Sequence, residues 1–396
     1  MPPTLPLIIF CPRELTGGSQ NYWQNLVAEQ GFLDCFSPTV VAQAGRSTEA
    51  AKVKLQRLVT DFIEYPADRA PRILHRVLRR LVSASVCKRT IALKKSLEAG
   101  DERSIVWFIL DCFSAIGYCA GPIEHCIATS TPYHLIVQHA PEFAHFADRE
   151  ETETAKRLFL AARRVVFVSR RNLATAELCL GSKLANSFLG VNGLTKASFD
   201  KAHRLGRENP PRTSGLVNII NVARFDVSHK RQDLLLQALA KVNERSSLAR
   251  CTFVGGGSDL WFLENTARFL GLHSPEIRFL DRIDDPTYAM VENDVFALTS
   301  AREGMAFALV EAAAACRPLI ATNVAGAPEL VIEGITGYLA ESATTEAVAT
   351  ALMRAIADRS NWVKRGQAAH EFARANYCLA DVVQRLHKIN AIDLLT

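Results

Sequence analysis

The chain has 396 residues, of which 48% are hydrophobic and 22% charged, and its formal net charge at pH 7 is +5. This composition is that of a soluble globular protein, and it excludes a disordered or a fibrous chain. The length exceeds what one compact core usually holds, so we expect two domains of about 200 residues each.

The beginning of the sequence, MPPTLPLIIFCPRE, carries no basic region, and its apolar run is too short for a signal peptide. No apolar run of about 18 residues, the length that a membrane span requires, follows it. We therefore expect a cytoplasmic protein without a transmembrane span.

Short apolar runs alternate with longer segments of helical period along both halves of the chain. The runs are LPLIIFC, TVVAQA, IVWFIL, HLIVQH, VVFVS and LANSFLG, and then LVNIINV, CTFVG, IRFL, DVFALT, PLIAT and GYLA. Continuous apolar runs separated by helices are typical of parallel sheets that are covered on both faces. The sequence thus predicts two doubly wound, Rossmann-like α/β domains.

The break between the two series of runs falls at residues 201–215, KAHRLGRENPPRTSG, where Pro, Gly and charge replace periodicity. We predict a linker there. The expected domains are residues 1–205 and residues 216–375, and a C-terminal helix over 379–396 is expected to cross back onto the first domain.

The ten cysteines form no CxxC pair, and we expect reduced and mostly buried thiols. Cys112, Cys119 and Cys126 recur every seven residues, which raises the question of a metal site. Gly117, Gly121 and Pro122 are expected to interrupt the helix that would place the three thiols on one face. Buried apolar thiols are therefore the favoured interpretation, and no metal site is predicted.

A pair of glycines, Gly17 and Gly18, follows the first apolar run and precedes a helical segment. Residues without a side chain let an anion or a sugar approach the backbone amides at a helix N-terminus. A glycine pair is equally common in an ordinary turn, and the segment lacks the GxGxxG pattern of dinucleotide sites. Both interpretations stay open.

Residues 69–97 hold nine Lys or Arg and no acidic residue, so the formal net charge of the rest of the chain is −4. Six apolar residues follow helical spacing within it, namely Ile73, Leu74, Val77, Leu78, Leu81 and Val82. The pattern predicts a cationic amphipathic helix, which either packs on the core with a solvated basic face or binds an anionic lipid surface. Nucleic-acid binding is disfavoured, because no aromatic platform or known motif accompanies the charges.

In doubly wound folds ligands bind beyond the carboxyl ends of the strands, so the residues after each run are candidate site residues. His139 follows HLIVQ, where a packing or capping role is the commoner alternative. Arg224 and Lys230 follow LVNIINV, and together they can clamp a diphosphate. The alternative is a solvated loop with incidental charges.

Two glutamates, Glu303 and Glu311, flank an almost wholly apolar stretch after DVFALTS. Glu303 is expected in the strand-to-helix loop, facing an interdomain cleft, with Glu311 about two turns into the helix. A half-buried carboxylate needs hydrogen-bond donors, and the diol of a ribose supplies two. Phosphate groups are favoured at the helix start by the amides of Gly304, Met305, Ala306 and Phe307.

The elements over residues 217–340 resemble, in order and spacing, the retaining GT-B glycosyltransferases of glycosyltransferase family four. NVARFDVSHK is similar to their Gly-Arg-Leu and Lys element, FVGGGSD to their glycine turn, and SAREGMAFALVEA to their E-x7-E motif. NVAGAPELVIEGITGYL is similar to their glycine-rich turn. The N-terminal half resembles them through the glycine pair, VQHAP and NGLTKASF.

The resemblance implies a role for each candidate residue. Arg224 and Lys230 hold the donor diphosphate, Glu311 holds the ribose, and Glu303 bonds hydroxyls of the donor sugar. His139 contacts that sugar from the other domain, and the glycine pair closes over the phosphates. Three residues depart from the family pattern, namely Ala306 and Cys316, where glycine is usual, and Thr195, where Asp is usual.

The implied activity is transfer of a sugar, with retention, from a UDP- or GDP-sugar to a saccharide or lipid-linked acceptor in polysaccharide or glycolipid assembly. The implied route is front-face departure of the diphosphate. No DxD motif is present and two cations can replace a metal, so we expect no cofactor and no metal dependence. The expected location is the cytoplasm, with peripheral attachment to the cytoplasmic face of the inner membrane through residues 69–97.

Two other activities remain open at this point. A GT-B sugar-nucleotide epimerase has the same fold and the same nucleotide clamp but forms no acceptor product. A non-catalytic partner of another transferase keeps the fold without turnover.

Overall fold

The computed structural model describes residues 5–11, 24, 27–29, 32–43, 52, 55, 58–65, 88–98, 104–142, 145–190, 192–244 and 248–384. The chain divides into one unit that comprises residues 1–191 and 379–396 and a second unit that comprises residues 192–378.

The first unit contains a sheet of seven strands with helices between them. The strands are β1 (Leu5–Cys11), β2 (Phe36–Gln43), β3 (Asp61–Tyr65), β4 (Ile105–Leu110), β5 (Tyr133–Val137), β6 (Arg164–Phe167) and β7 (Ser187–Leu189). The helices are α1 (Phe32–Cys35), α2 (Lys88–Glu98), α3 (Ile116–Ala128), α4 (Arg149–Ala161) and α5 (Arg170–Leu180). The strands pair in parallel in the order β3-β2-β1-β4-β5-β6-β7.

Both faces of this sheet are buried, as the continuous apolar runs predict. In β4 the side chains of Val106, Phe108 and Leu110 enter one apolar core, and the alternate residues enter the core on the other face. This alternation follows from the two-residue period of a strand. Each face therefore needs a covering layer of helix, which is the doubly wound arrangement.

Helix α3 differs from the prediction because it runs through Pro122 without a break. Ile116, Cys119, Ile123 and Cys126 lie on one side of the helix and are buried in the core. Burial of this apolar face outweighs the backbone hydrogen bond that a proline removes. The prediction of an interrupted helix was wrong, and the two thiols are core residues. None of the eight cysteines whose side chains the structure describes forms a disulfide, and six of them are buried.

The second unit contains a sheet of six strands. The strands are β8 (Val217–Val222), β9 (Ala249–Val254), β10 (Ile277–Leu280), β11 (Val295–Leu298), β12 (Leu319–Thr322) and β13 (Gly337–Ala340). The helices are α6 (Lys196–Glu208), α7 (Val227–Lys230), α8 (Gln232–Asn243), α9 (Leu260–Phe269), α10 (Thr287–Val291), α11 (Phe307–Ala314), α12 (Ala327–Leu330), α13 (Thr345–Ala357) and α14 (Trp362–Asn376). All pairings are parallel, in the order β10-β9-β8-β11-β12-β13. The prediction of two doubly wound parallel-sheet domains is confirmed.

The order of the second sheet reverses direction between β8 and β11. The chain moves outward from β8 through β9 to β10, and it then returns to place β11 on the other side of β8. The crevice at such a reversal, beyond the carboxyl ends of the two central strands, is where ligands bind in folds of this type. A ligand site is therefore expected at the loops after β8 and β11.

Helix α6 occupies the first half of the segment that the sequence predicted to be a linker. Its N-terminus is capped by Thr195, whose side chain accepts a hydrogen bond from the Ser198 amide. Phe199, Ala202 and Leu205 are buried on one face. The charges that suggested a linker lie among these apolar residues, which follow the helical period. The described residues after Asn209 connect α6 to β8 without regular structure.

The chain enters and leaves the second unit at neighbouring points. The Leu194 amide donates to the Tyr377 carbonyl at 3.0 Å, and Leu194 forms an isolated parallel bridge with Cys378. Directly after this bridge, Leu379, Val382 and Val383 are buried in the apolar core that contains Leu7 and Ile9 of β1.

Arg317 is a fully buried arginine in the second unit. Its guanidinium donates to four carbonyl oxygens, those of Gly206 at 3.2 Å, Asn209 at 2.7 Å, Asn293 at 2.8 Å and Ala315 at 3.1 Å. Burial lowers the pKa of the side chain to about 10. One side chain thus joins the end of α6 to the turn that follows α11.

Candidate functional site

The loop after β8 carries the first candidate cation, Arg224. Its backbone carbonyl accepts a hydrogen bond of 2.8 Å from Nε2 of Gln232, which is fully buried at the start of α8. The guanidinium is more than half exposed and pairs with the Asp226 carboxylate at 2.7 Å. The backbone is thus held in place while the charged end of the side chain remains accessible.

Asp226 organises this loop and was not identified from the sequence. Its carboxylate accepts hydrogen bonds from the Ser228 hydroxyl at 2.7 Å and from Arg224, and it lies 3.1 Å from Nδ1 of His229. Burial alone would raise the pKa of Asp226, but these three partners together hold it well below its usual range. The only signal in the sequence is that Asp226 stands two residues after Arg224.

Lys230 and Glu303 meet at the reversal of the second sheet. Nζ of Lys230, the last residue of α7, lies 2.5 Å from Oε1 of Glu303, in the loop after β11. The same oxygen accepts a hydrogen bond of 2.6 Å from the Ser300 hydroxyl. The Glu303 side chain is only 9% exposed. The two donors, Lys230 and Ser300, hold its carboxylate in one position.

The loops that carry these two residues are joined by further hydrogen bonds. Helix α7 ends just before Arg231, which has the left-handed backbone conformation with φ 48°. The Arg231 carbonyl accepts a hydrogen bond of 2.8 Å from the Thr299 hydroxyl. The amide of Ala301 donates to the His229 carbonyl at 2.8 Å. The buried Asn221 side chain also links β8 to β11, donating to the Ala297 carbonyl at 2.7 Å.

The N-terminus of α11 lies immediately beyond Glu303. Ala306 precedes the helix in an extended conformation and has no side-chain group to cap it. The amides of the first helical turn have no acceptor within the helix, so they can donate to an anion. Two hydrogen bonds hold the approach to the helix: Gly304 O accepts from the Gly326 amide at 2.8 Å, and Met305 O accepts from the Asn192 side chain at 2.9 Å.

Glu311 lies one turn into α11, and not two, because the helix begins only at Phe307. Part of its surface is accessible, yet protein atoms surround most of the carboxylate. This desolvation raises the pKa of Glu311 to about 7, with a smaller contribution from the negative charge of Asp285. No hydrogen-bond donor from the part of the chain that the structure describes reaches this carboxylate.

The second unit therefore brings together four of the predicted charged residues at the carboxyl edge of its sheet. Lys230 and Glu303 are in direct contact, Arg224 is on the loop after the neighbouring strand, and Glu311 is on the helix that follows Glu303. The set combines two cations, unsaturated helix amides and a carboxylate without a donor. Such a set can bind the phosphates and the diol of a nucleotide.

The remaining predicted site residues belong to the first unit. His139 is half-buried just after β5, and its carbonyl accepts from the Phe113 amide at 2.7 Å. Gly17 and Gly18 lie outside the described residues, as does most of the basic segment 69–97. Only residues 88–97 of that segment are described, within α2. None of the helices in the described ranges has the length and hydropathy of a membrane span.

Comparison with known proteins finds similarity in sequence over part of the chain. Residues 217–358 match the family described as "Glycosyl transferases group 1". A "GDP-mannose-dependent alpha-(1-6)-phosphatidylinositol monomannoside mannosyltransferase" of Mycobacterium tuberculosis is 30% identical over 191 residues, which are 46% of this chain and 47% of that protein. An "N-acetyl-alpha-D-glucosaminyl L-malate synthase" of Bacillus anthracis is 27% identical over 171 residues, 43% of this chain and 44% of that protein. The matches thus span about half the length of these relatives.

Solved structures with the same fold cover nearly the whole chain. Anabaena Alr3699/HepE, solved in complex with UDP, superposes with a TM-score of 0.76 over 98% of this chain and 100% of that chain, at 17% identity. A sucrose-phosphate synthase from Thermosynechococcus elongatus gives a TM-score of 0.74 over 99% of both chains, again at 17% identity.

Proposed function

We propose that this chain, which has the GT-B fold and resembles glycosyltransferase family four, is a retaining glycosyltransferase that uses a nucleotide-diphosphate sugar as donor. The observation that carries the proposal is the group formed by Arg224, Lys230, Glu303 and Glu311 at the reversal of the second sheet. The match over residues 217–358 contains all four of them, which supports the same assignment.

The donor diphosphate is assigned to Arg224, Lys230 and the first-turn amides of α11. Arg224 offers a planar fork of donors, and Lys230 offers a compact charge. In the structure each cation already has a carboxylate partner, Asp226 for Arg224 and Glu303 for Lys230. The Lys230 side chain is only 23% exposed and is held by Glu303, so less side-chain entropy remains to be lost when a phosphate reaches it.

The nucleoside ribose is assigned to Glu311. Its carboxylate accepts no hydrogen bond from the described residues, and burial, with a smaller effect of the Asp285 charge, raises its pKa. Two ribose hydroxyls would supply the missing donors and would favour the ionised form. Hydroxyls of the donor sugar are assigned to Glu303, which Lys230 and Ser300 hold in position.

The proposed chemistry is front-face substitution at the anomeric carbon. The bond between that carbon and the diphosphate oxygen breaks, and the acceptor oxygen bonds to the same face. The acceptor proton passes to the departing phosphate. Arg224, Lys230 and the helix amides stabilise the charge that develops on the leaving group, which is the largest contribution expected here. With two cations in place, the proposal needs no metal ion.

The acceptor is proposed to be a saccharide or a lipid-linked saccharide, in polysaccharide or glycolipid assembly. The name of the mycobacterial relative, a mannosyltransferase that acts on a phosphatidylinositol monomannoside, supports a lipid-linked acceptor. The basic segment 69–97 is a proposed contact with the anionic surface that would carry such an acceptor.

A thermal-shift panel of UDP- and GDP-sugars, with and without Mg²⁺, tests the nucleotide site. A ligand at 100 times its Kd stabilises the folded state by about 2.7 kcal/mol. We expect a shift with one nucleotide class that does not depend on Mg²⁺ and is lost in the double variant Arg224→Ala, Lys230→Ala. A panel without any nucleotide-dependent shift would refute the proposal.

Product analysis with the stabilising donor then separates transfer from the alternatives. A transferase converts donor into a glycosylated acceptor and free nucleoside diphosphate. An epimerase releases nucleotide without an acceptor product, and a non-catalytic subunit binds nucleotide without turnover. Either of the last two results would replace the proposed activity while leaving the nucleotide site intact.

A further inference from the structure

Three metal-binding side chains converge in the second unit, away from the proposed donor site. His203 lies on α6, Cys316 follows α11, and His370 lies on α14. The atoms that each offers as a ligand all lie within 4.8 Å of one another. The cluster is at the C-terminal end of α11, about 12 Å along an eight-residue helix from the amides assigned to phosphate.

The two imidazoles are arranged so that each has a nitrogen available. Their rings stack with centroids 3.9 Å apart and an interplanar angle of 12°. Nδ1 of His370 lies 3.0 Å from the Ala314 carbonyl, which can only accept, so Nδ1 carries the hydrogen and Nε2 has a free lone pair. Nε2 of His203 is buried and has no hydrogen-bond partner.

A hydrogen bond from a ring N–H to a backbone carbonyl is the usual support of a metal-binding histidine. It fixes the tautomer and the orientation of the ring. His370 has this support through Ala314, and the His370 side chain is only 7% exposed. An unpartnered buried nitrogen such as Nε2 of His203 costs free energy unless a ligand satisfies it.

The third side chain, Cys316, is held in an uncommon backbone conformation. Its φ is 54°, in the left-handed region that glycine adopts with least strain. The turn that contains it is also tightly enclosed: a Cβ atom at Gly206 would lie 2.3 Å from the Ala315 carbonyl oxygen, and one at Gly366 would lie 2.0 Å from the Cys316 carbonyl oxygen. The backbones of α6 and α14 therefore pack closely against the same turn, which holds the backbone of Cys316 in place.

We propose that His203, Cys316 and His370 bind a divalent metal ion of the zinc class, with a structural role. Two imidazoles and a thiolate are ligands that Zn²⁺ favours, and water or the Gln367 side chain completes a tetrahedral set. Oε1 of Gln367 lies 4.0 Å from the Cys316 sulfur. The ion joins α6, α14 and the turn after α11, and it takes no part in sugar transfer.

Binding requires a small local rearrangement and the loss of one proton. Ligand atoms in a tetrahedral zinc site are about 3.3–3.6 Å apart, so the cluster must contract by about 1 Å as one ring rotates out of the stack. Burial raises the pKa of the Cys316 thiol to about 11, despite the positive charges of Arg317 and Arg207. The S–H bond therefore breaks when the S–metal bond forms, and the proton passes to solvent.

Cobalt titration of the chelator-treated full chain tests the proposal. Co²⁺ is a spectroscopic substitute for Zn²⁺, and a thiolate ligand gives it a charge-transfer absorption band. We expect one Co²⁺ per chain with this band, displaced by one equivalent of Zn²⁺. Zn²⁺ should also raise the Tm. A protein without the band, or one in which added Zn²⁺ leaves the Tm unchanged, would overturn the proposal.

Variants assign the ligands. Cys316→Gly should remove the charge-transfer band while relieving the positive φ, so the metal-free protein stays folded. His203→Gln and His370→Gln should weaken Co²⁺ binding at least tenfold. Cys179→Ser and His273→Gln change a thiol and an imidazole outside the cluster, and they should bind Co²⁺ like the wild type. Retention of the band in Cys316→Gly would show that the metal binds elsewhere and would also overturn the proposal.

Discussion

Lys230 and Glu303 form an ion pair, with Nζ 2.5 Å from Oε1, although 73 residues separate them in sequence. The pair connects the loops after β8 and β11, the two strands between which the sheet order reverses. It places a cation assigned to the leaving group beside a carboxylate assigned to the sugar. In the proposed function, the pair would align the two parts of a donor on either side of the bond that breaks.

Removal of either donor-site cation should slow transfer strongly. We expect Arg224→Ala and Lys230→Ala each to lower kcat/KM by an amount that corresponds to roughly 2–4 kcal/mol of transition-state stabilisation, because each leaves charge on the leaving diphosphate uncompensated. Arg278→Ala removes an exposed cation of the same unit and serves as the control. Normal donor turnover in both site variants would mean that the diphosphate binds elsewhere.

The two glutamates should give different kinetic phenotypes. Glu311→Gln should chiefly weaken binding of the bare nucleotide, since its proposed partner is the ribose. Glu303→Gln should lower kcat while the nucleotide still binds, since its proposed partner is the sugar. Calorimetry with the nucleoside diphosphate and steady-state kinetics distinguish the two, and reversed phenotypes would exchange the assignments.

The pH dependence of stability should report on Glu311. Its pKa of about 7 lies above its ordinary value of 4.5, so between these values the folded state binds more protons than the unfolded state. Stability due to this group is therefore fully present below about pH 4.5 and declines as the pH rises to about 7, by at most about 3 kcal/mol.

Urea unfolding of the wild type and of Glu311→Gln across this range provides the measurement. The variant lacks the titrating group, so its stability should exceed that of the wild type at pH 8 by more than it does at pH 5. Parallel curves for the two proteins would show that the carboxylate is better solvated than the structure indicates.

Arg317 should be important for stability and not for chemistry. Arg317→Met leaves four carbonyl oxygens without their donor, and we expect the free energy of unfolding to fall by roughly 2–4 kcal/mol. Arg278→Met, at an exposed position, should change it by less than about 0.5 kcal/mol. The midpoint of urea denaturation measures both, and equal midpoints would contradict the structural role.

Liposome flotation tests the proposed membrane contact of residues 69–97. The full chain should float with anionic vesicles at low salt and less at high salt, because each basic residue near the surface adds about 1 kcal/mol that salt screens. Replacing Arg76, Arg79 and Arg80 with Glu should abolish flotation. Equal recovery on neutral and anionic vesicles, or an unaffected triple variant, would favour a soluble acceptor.

Much of the geometry of the candidate site was predictable because parallel strands place their carboxyl ends at one edge. That rule alone brought Arg224, Lys230 and Glu303 to the same side of the second sheet. It did not predict that Lys230 would contact Glu303, because this depends on how the short helix α7 directs its last residue. Asp226 was missed for a similar reason, since its importance comes from three hydrogen bonds within one turn of the chain.

Two local predictions failed where burial outweighed residue preference. Pro122 was expected to break a helix, yet α3 continues because its apolar face fills the first core. Charge around residue 201 suggested a linker, yet α6 forms there because Phe199, Ala202 and Leu205 are buried. Intrinsic propensities contribute at most a few kcal/mol in either case, and packing decides the result.

The chain returns to the first unit at Leu379, and this affects the order in which the two units are completed during synthesis. Leu379, Val382 and Val383 belong to the core around β1, so the first unit is completed by residues that the ribosome adds only after the whole second unit. The second unit is continuous in sequence, with its entry and exit joined at Leu194 and Cys378. During translation the unit that is synthesised later is therefore the first that has all its residues available for folding.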